Sequence, residues 1–391
     1  MWITDLRLVL PDRVVPRGAL RIEDGHIAEM IEVPSRARGA QACLTLIPGL
    51  VDLHGDMIEK EVEPRPDCGF PLDVAVANLD SRLAASGVTT AFAGVSFAEG
   101  KRGLRSEEQA RGVVEALALL RPHARTDLRV HARFEVTNPR AEPVLRDLVS
   151  RGMVDMVSLT DHTPGQGQYR DLEQYVAYAA RAHGHSEHEA AERARARMAA
   201  PPAWDVARAV TAMARARGLP IASHDDDTPA KVEVMRALGA TISEFPVTLE
   251  AATAARRAGM ATLMGAPNAL RGRSMTGNIT ALSVLQAGLL DALAADYHQG
   301  AMLPAALGWV REGLLPLHAA IALLTANPAR AAGLEDRGAL IPGRRADLVL
   351  LDVSEAAGAP PPRVRAVWRN GRIIHSDGWS ASAADAVAEA A

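Results

Sequence analysis

Ile47-Pro48-Gly49-Leu50-Val51-Asp52-Leu53-His54-Gly55-Asp56, continuing through Glu59-Lys60 to Glu63-Pro64-Arg65-Pro66, is the stretch whose reading decides the fold. Its apolar alternation stops at a His and an Asp two residues apart, where a strand hands over to a loop, and period-two spacing points both side chains the same way. Imidazole nitrogen beside carboxylate oxygen is a donor set for zinc or manganese, and a strand end opening into a loop leaves room for a substrate next to the ion. Alone, a His-x-Asp pair is more often a surface pair or a satisfied core histidine than a pair of ligands. Its force comes from the chain that follows.

The rest of the composition narrows the field. A chain of 391 residues, 48% of them hydrophobic, predicts one large α/β barrel with a minor domain, or two domains. The formal net charge is −4, and the 43 basic residues are spread out without a dense lysine tract, which argues against a general nucleic-acid footprint. An anionic substrate therefore has to be met by a few placed arginines. Cys43 and Cys68 are too few for a disulfide framework and lack zinc spacing, which fits a reduced cytoplasm. The N-terminus, Met1-Trp2-Ile3-Thr4-Asp5, has no basic region followed by an apolar one, and no run reaches the length of a membrane span. A cytoplasmic protein that meets neither membrane nor nucleic acid is expected, with a homo-oligomer left open.

Outward from the opening stretch, the two chain ends share one texture. Trp2 to Leu10, Ala19 to Glu23, the turn Asp24-Gly25 and His26 to Glu32 read as short strands. The texture returns in Ala346 to Leu351, Val364 to Trp368, the turn Asn370-Gly371 and Arg372 to Ile374. One small β-sandwich domain built from residues 1–46 and 341–391 is the simplest arrangement, with an Ala- and Ser-rich tail of frayed or weakly helical character. Between them, residues 47–340 alternate strand-like runs with Ala- and Arg-rich amphipathic helices. The runs are Leu50 to Leu53, Val88 to Val95, Leu128 to Val136, Val154 to Leu159, Pro220 to Ser223, Ala240 to Glu244, Ala261 to Gly265 and Leu290 to Ala294. Eight parallel strands with intervening helices predict a (β/α)8 TIM barrel, whose active site lies at the carboxyl ends of the strands.

The strand exits carry His54 and Asp56, Glu135, Asp161 and His162, His224 with Asp225-Asp226-Asp227, Glu244, Asn268 and Asp296. In a barrel these converge on one rim. The set suffices for two metal ions: Glu135 bridges, His54 and Asp56 hold one ion, and His162 and His224 hold the other, while Asp296 contacts a metal and the attacking water. Two ions about 3.5–4 Å apart lower the pKa of water and clamp attacking and leaving oxygens, which is hydrolytic chemistry. Duller readings accompany several of these. Asp225, Asp226 and Asp227 also suit capping of a helix beginning near Pro229. His183-Gly184-His185 and His188 are spaced like ligands, yet they lie in a charged stretch that reads better as a solvated helical insertion or lid. His298 is a candidate for substrate contact or proton shuttling.

A second theme runs through the loops. Arg65 sits between two prolines that restrict its backbone. Gly265-Ala266-Pro267-Asn268 leads to Arg271-Gly272-Arg273-Ser274 and Gly277-Asn278, before a helix expected at Ile279. Glycines permit close backbone approach, arginines fork onto phosphate oxygens and a helix N-terminus favours an anion, so Arg65, Asn268, Arg271, Ser274, Asn278 and His298 form a candidate substrate-binding set. The loop matches no Walker-type motif, and the bland alternative is an ordinary glycine-rich loop. Gly165-Gln166-Gly167-Gln168 is a lid hinge or only a turn.

These motifs resemble the amidohydrolase superfamily. Pro48 to His54 is similar to its first-strand signature, Thr325-Ala326-Asn327-Pro328-Ala329 to its segment after the barrel, and Gly343 to Val349 to its returning strand. More narrowly, His54-Gly55-Asp56 with Glu63-Pro64-Arg65-Pro66, Asp161 to Gln168, Ala222 to Asp226, Glu244-Phe245-Pro246 with Thr248-Leu249-Glu250, and Met264 to Asn268 resemble the PhnM-type diphosphatases of the carbon–phosphorus lyase pathway. The resemblance covers essentially the whole chain. It implies a divalent metal, zinc or manganese, and a small phosphorylated sugar as substrate: α-D-ribose 1-methylphosphonate 5-triphosphate, hydrolysed to the 5-phosphate and pyrophosphate. Two departures stand out. The family's Ser-His-Ser-Gly-Asn loop here reads Ser274-Met275-Thr276-Gly277-Asn278, which bears on substrate choice more than on reaction class. The family usually places two histidine ligands after the fifth and sixth strands, whereas the run count puts His162 and His224 after the fourth and fifth; the motifs are given precedence over the count. The rival expectations are an amidohydrolase acting on a cyclic amide or N-acyl substrate, for which rim arginines are unnecessary, and a catalytically silent scaffold, against which the intact ligands count.

Overall fold

The computed structural model describes residues 1–33, 44–65, 68–98, 105–184, 186–274 and 276–379. In chain order β1 (Trp2–Val9), β2 (Val14–Glu23), β3 (His26–Glu32) and β4 (Thr45–Pro48) come first. Then follow β5 (Leu50–Gly55), β6 (Val88–Phe97), β7 (Asp127–Glu135), β8 (Met156–Thr160), β9 (Ile221–His224), β10 (Ile242–Glu244), β11 (Ala261–Gly265) and β12 (Ala292–Ala294), and finally β13 (Leu348–Asp352), β14 (Arg363–Arg369) and β15 (Arg372–Ser376). Strands β5 to β12 form one eight-stranded parallel sheet in sequential order. A parallel bridge between Gly55 and Asp296 brings the first strand back to the last. Two backbone bonds make that closure: Asp296 N–H donates to His54 O at 2.8 Å, and Asp56 N–H donates to Asp296 O at 2.7 Å. The eight runs expected from the sequence are therefore the eight barrel strands. His162 and His224 follow the fourth and fifth of them, as the run count had it.

The terminal strands pair in the order β15-β14-β13-β4-β1-β2-β3, one mixed sheet drawn from both ends of the chain. Both hairpin turns behave as read: Asp24 and Gly25 have φ of 48° and 79°, Asn370 and Gly371 of 50° and 73°, the positive φ pair that matches strand twist in a two-residue turn. Leu8, Leu20, Leu46, Leu348 and Trp368 are among the buried side chains beneath this sheet. The expected tail and Cys43 lie outside the described residues.

The opening stretch is split between the two sheets. Ile47 pairs with Val349 in the terminal sheet, while Leu50 starts the barrel. The hinge is Pro48-Gly49: Gly49 N–H donates to Asp347 O at 2.8 Å, and a Cβ there would lie 2.3 Å from Thr89 Oγ1. Because Thr89 is itself buried, Gly49→Ala is expected to lower stability by about 1–3 kcal/mol, read as a fall in the thermal midpoint. A variant melting with the wild type would mean that the junction yields freely. Beyond the strand a short helix, Met57–Val62, replaces the loop expected after Asp56.

Inside the barrel the wall alternates. On β7, Val130, Ala132 and Phe134 join the core beneath the outer helices, leaving His131, Arg133 and Glu135 on the opposite face, all three buried. Val51, Phe92, Met156, Ala222, Ile242, Leu263 and Ala292 form a separate apolar cluster drawn from seven barrel strands. The insertion after β8 contains two helices, Leu172–His183 and Glu187–Ala199. His188 is 80% exposed beside Glu192, as a solvated helix requires, and the side chains of His183 and His185 lie outside the described residues. No described helix is long and apolar enough to cross a membrane.

Candidate metal and substrate site

Three imidazoles meet at the carboxyl ends of the strands. His54 is fully buried at the end of β5, His224 ends β9, and His162 follows β8. Ring centroids are 5.1 Å apart for His54 and His224, and 5.7 Å for His162 and His224. Two carboxylates complete two donor groups: His54, His224 and Glu244 form one, His162, His224 and Asp225 the other, each with its donor atoms within 4.8 Å of one another.

The donor atoms fit a cation better than they fit each other. His54 Nδ1 lies 3.1 Å from Glu244 Oε2, and His224 Nδ1 lies 3.0 Å from Asp225 Oδ2, yet none of these four atoms has an aligned hydrogen-bond partner among the described residues. Leaving buried polar atoms unpaired costs about 1–3 kcal/mol each, so such a cluster persists where something else satisfies it. Burial alone would depress the His54 pKa, but Glu244 and Asp56 overcome it and raise it to about 10. Glu244 goes the other way: burial is outweighed by His54 and His131, which pull it down to about 2. Acid charge held at low pKa among imidazoles is an environment made for a cation. A divalent-metal site of His and carboxylate donors is thus present.

The other expected residues surround this cluster. Asp56 stands 3.5 Å from His54 Nε2, as the His-x-Asp spacing implied, but both its oxygens also accept from Arg133 Nη1, at 2.7 and 2.8 Å. Glu135 accepts from His162 Nδ1 at 2.6 Å and from the His162 backbone N–H at 3.0 Å. Each of its two oxygens thus accepts one hydrogen bond from His162. Asp296 follows β12 with φ 53°, and its side chain would crowd any Cβ at Gly265, at 3.0 Å. Burial raises its pKa to about 6, with Asp56 adding to the shift. Positive φ recurs at Asp225 (55°) and Phe245 (54°), so three strand exits around the site carry left-handed residues that only a committed surrounding structure maintains.

The helix Pro229–Ala237 is capped by Thr228, whose side chain accepts from Lys231 N–H; none of the three aspartates caps it. Their actual partners explain the run: Asp225 faces His224, Asp226 is held by the hydroxyls of Ser223 and Ser243, and Asp227 accepts from Gly167 N–H at 3.0 Å. Asp161 is taken by Lys231 Nζ at 2.9 Å.

The substrate candidates follow the barrel strands: Asn268 and Arg271 lie in a short helix, Ala266–Arg271, where a loop was expected, and the others lie in loops. Asn278 Nδ2 donates to Gln168 O at 3.1 Å, tying the Gly277-Asn278 loop to the Gly165–Gln168 loop. Arg271 Nη1 donates to Tyr297 Oη at 3.2 Å, and Ser274 Oγ lies 3.2 Å from Thr276 Oγ1. Asn268 Oδ1 is buried without a partner among the described residues. Arg65 and His298 are exposed, and Met275 lies outside the described residues. The expected helix begins at Ala281, two residues late, with Thr280 as its cap.

Sequence reasoning passed over Arg133 and His131 and left Glu244 and Asp225 without a ligand role. The signal for the first two was available: Arg129, His131, Arg133 and Glu135 alternate with Val130, Ala132 and Phe134, and a parallel strand covered on both faces has no solvent for such a charged stripe. His131 shows the result, its pKa lowered to about 3 chiefly by burial.

Known proteins agree with this arrangement. A model of the amidohydrolase family matches residues 98–375. The chain is 35% identical over 382 residues to the alpha-D-ribose 1-methylphosphonate 5-triphosphate diphosphatase of Escherichia coli, covering 96% of this chain and all of that one. Among solved structures, N-acetyl-D-glucosamine-6-phosphate deacetylase from Mycobacterium smegmatis is similar at a TM-score of 0.63 with 17% identity, over 96% of this chain and 100% of that one. The Aspergillus niger ochratoxinase gives 0.63 at 16% identity over 98% of each. These last two likenesses speak to the fold. With a closed parallel barrel, buried metal donors at its rim and a match over most of its length, the chain belongs to the amidohydrolase family.

Proposed function

We propose that this protein is a divalent-metal-dependent hydrolase that converts α-D-ribose 1-methylphosphonate 5-triphosphate to the 5-phosphate and pyrophosphate, working in the cytoplasm. The observation that carries the proposal is the 35% identity with the E. coli diphosphatase across nearly the whole of both chains. His54, His162 and His224, with Glu244 and Asp225, supply the pool of ligands, and their nitrogen and oxygen donors suit zinc or manganese. When bound, the metal supplies Lewis acidity toward a phosphoryl oxygen and toward water.

The chain's own residues do the rest. Asp296, beside the cluster, orients the water and takes its proton as the oxygen attacks phosphorus; the anhydride bond between the first and second phosphoryl groups breaks, and pyrophosphate leaves. Glu135 holds the His162 ring by its Nδ1, so that Nε2 is the nitrogen left to ligate. Arg271 and Arg65, with Asn268, Ser274, Asn278 and His298, meet the triphosphate and ribose from segments that follow the strands.

Incubating metal-loaded protein with the ribose triphosphate and following phosphorus NMR tests this. Pyrophosphate release that stops on chelation is expected. Cleavage of nucleoside triphosphates or N-acyl sugars in preference to that compound would keep the metal site and overturn the substrate.

A further inference from the structure

Arg133 holds Asp56, one of the metal ligands expected from the sequence. Its side chain is 7% exposed, on β7. Nη1 donates to both oxygens of Asp56, and Nη2 lies 3.2 Å from His224 Nε2. One side chain thus neutralises the acid after β5 from beside the imidazole that ends β9. The arrangement is built in. A Cβ at Gly94 would lie 2.6 Å from Asp56 Oδ1, so the glycine of β6 gives the carboxylate its place. The guanidinium stays charged at every working pH. The two donor groups also share His224, and one neutral imidazole offers a single lone pair. A second dication on the Asp56 side would meet a fixed positive charge in a poorly screened interior.

We propose that Arg133 is an internal cation in place of a second metal ion, so that the chain binds one divalent ion, and that Asp56 is the counter-ion of Arg133 and not a metal ligand. Both are positioning residues. This rests on the metal-dependent reading above but concerns the number of ions, not the substrate.

The test is metal content after loading with zinc or manganese and gel filtration, with binding followed by calorimetry. Wild type is expected to hold about one equivalent per chain, and Arg133→Met to gain a second by freeing Asp56, whereas Arg133→Lys keeps a cation and remains at one. Asp56→Asn is expected to retain the single equivalent. Two equivalents in wild type, one in a folded Arg133→Met, or loss of the ion in Asp56→Asn overturns the proposal. If Arg133→Met fails to fold, wild type and Asp56→Asn decide it. Turnover of the ribose triphosphate by the same preparations is scored separately, so a wrong substrate leaves the ion count standing.

Discussion

Asp296→Asn is expected to lower kcat by about 10²- to 10⁴-fold with little change in KM, the loss that follows removal of a positioned general base. The substitution is a clean one. The barrel closure at this residue uses its backbone N–H and carbonyl, which Asn keeps. Asn also tolerates the left-handed φ of 53°. Burial and the nearby Asp56 already disfavour a charge on this carboxyl, so a neutral amide costs the fold nothing and the melting temperature is expected to hold or rise. The sign of the pH effect follows: the base is active when ionised, so the rate falls as pH drops through its pKa, about 6 without metal and lower with a cation bound nearby. That acid limb should vanish from the residual activity of the Asn variant. Steady-state kinetics across pH, with metal content measured in parallel, checks the prediction; a variant within threefold of wild type, on the order of ordinary surface substitutions, would remove Asp296 from the mechanism.

His224→Ala is expected to abolish activity by removing the metal. This imidazole belongs to both donor groups, so its loss breaks each of them. Outer-shell substitutions at metal sites already cost about 10–100-fold in affinity, and losing a ligand outright should cost at least the upper end of that range. Dialysed protein should then hold little metal and release no pyrophosphate, while chelated wild type shows the same loss and recovers on reloading. The ring also packs at 5.3 Å from Phe245 and 5.1 Å from His54, so a lower melting temperature is expected, partly from the small cavity. A His224→Ala protein that keeps its metal and its rate would place the site elsewhere on the rim.

Much of this was legible in the chain. Short apolar runs between amphipathic segments specify parallel strands, because a strand covered on both faces must be apolar and its partner helices must show one apolar stripe. Counting eight such runs gave the barrel, and asking what stands at each exit gave His54, His162, His224 and Asp296. The paired hairpins at the two ends gave the terminal sheet. These are local signals, written within a few residues of where they act.

What only the tertiary structure decided is which distant groups face one another. The Asp225-Asp226-Asp227 run looks like a cap because capping is local, yet its partners are His224, the Ser223 and Ser243 hydroxyls and Gly167, set by neighbouring strands and loops. Asp56 reads as a ligand from its spacing to His54, and only the fold shows Arg133, 77 residues later, on both its oxygens. The sequence determined the barrel, the rim and the donors, because periodicity and strand exits are properties of short segments. Their pairing depends on register between strands far apart in the chain, and charge interactions act through space, so which of these groups meet is decided only once the barrel has closed.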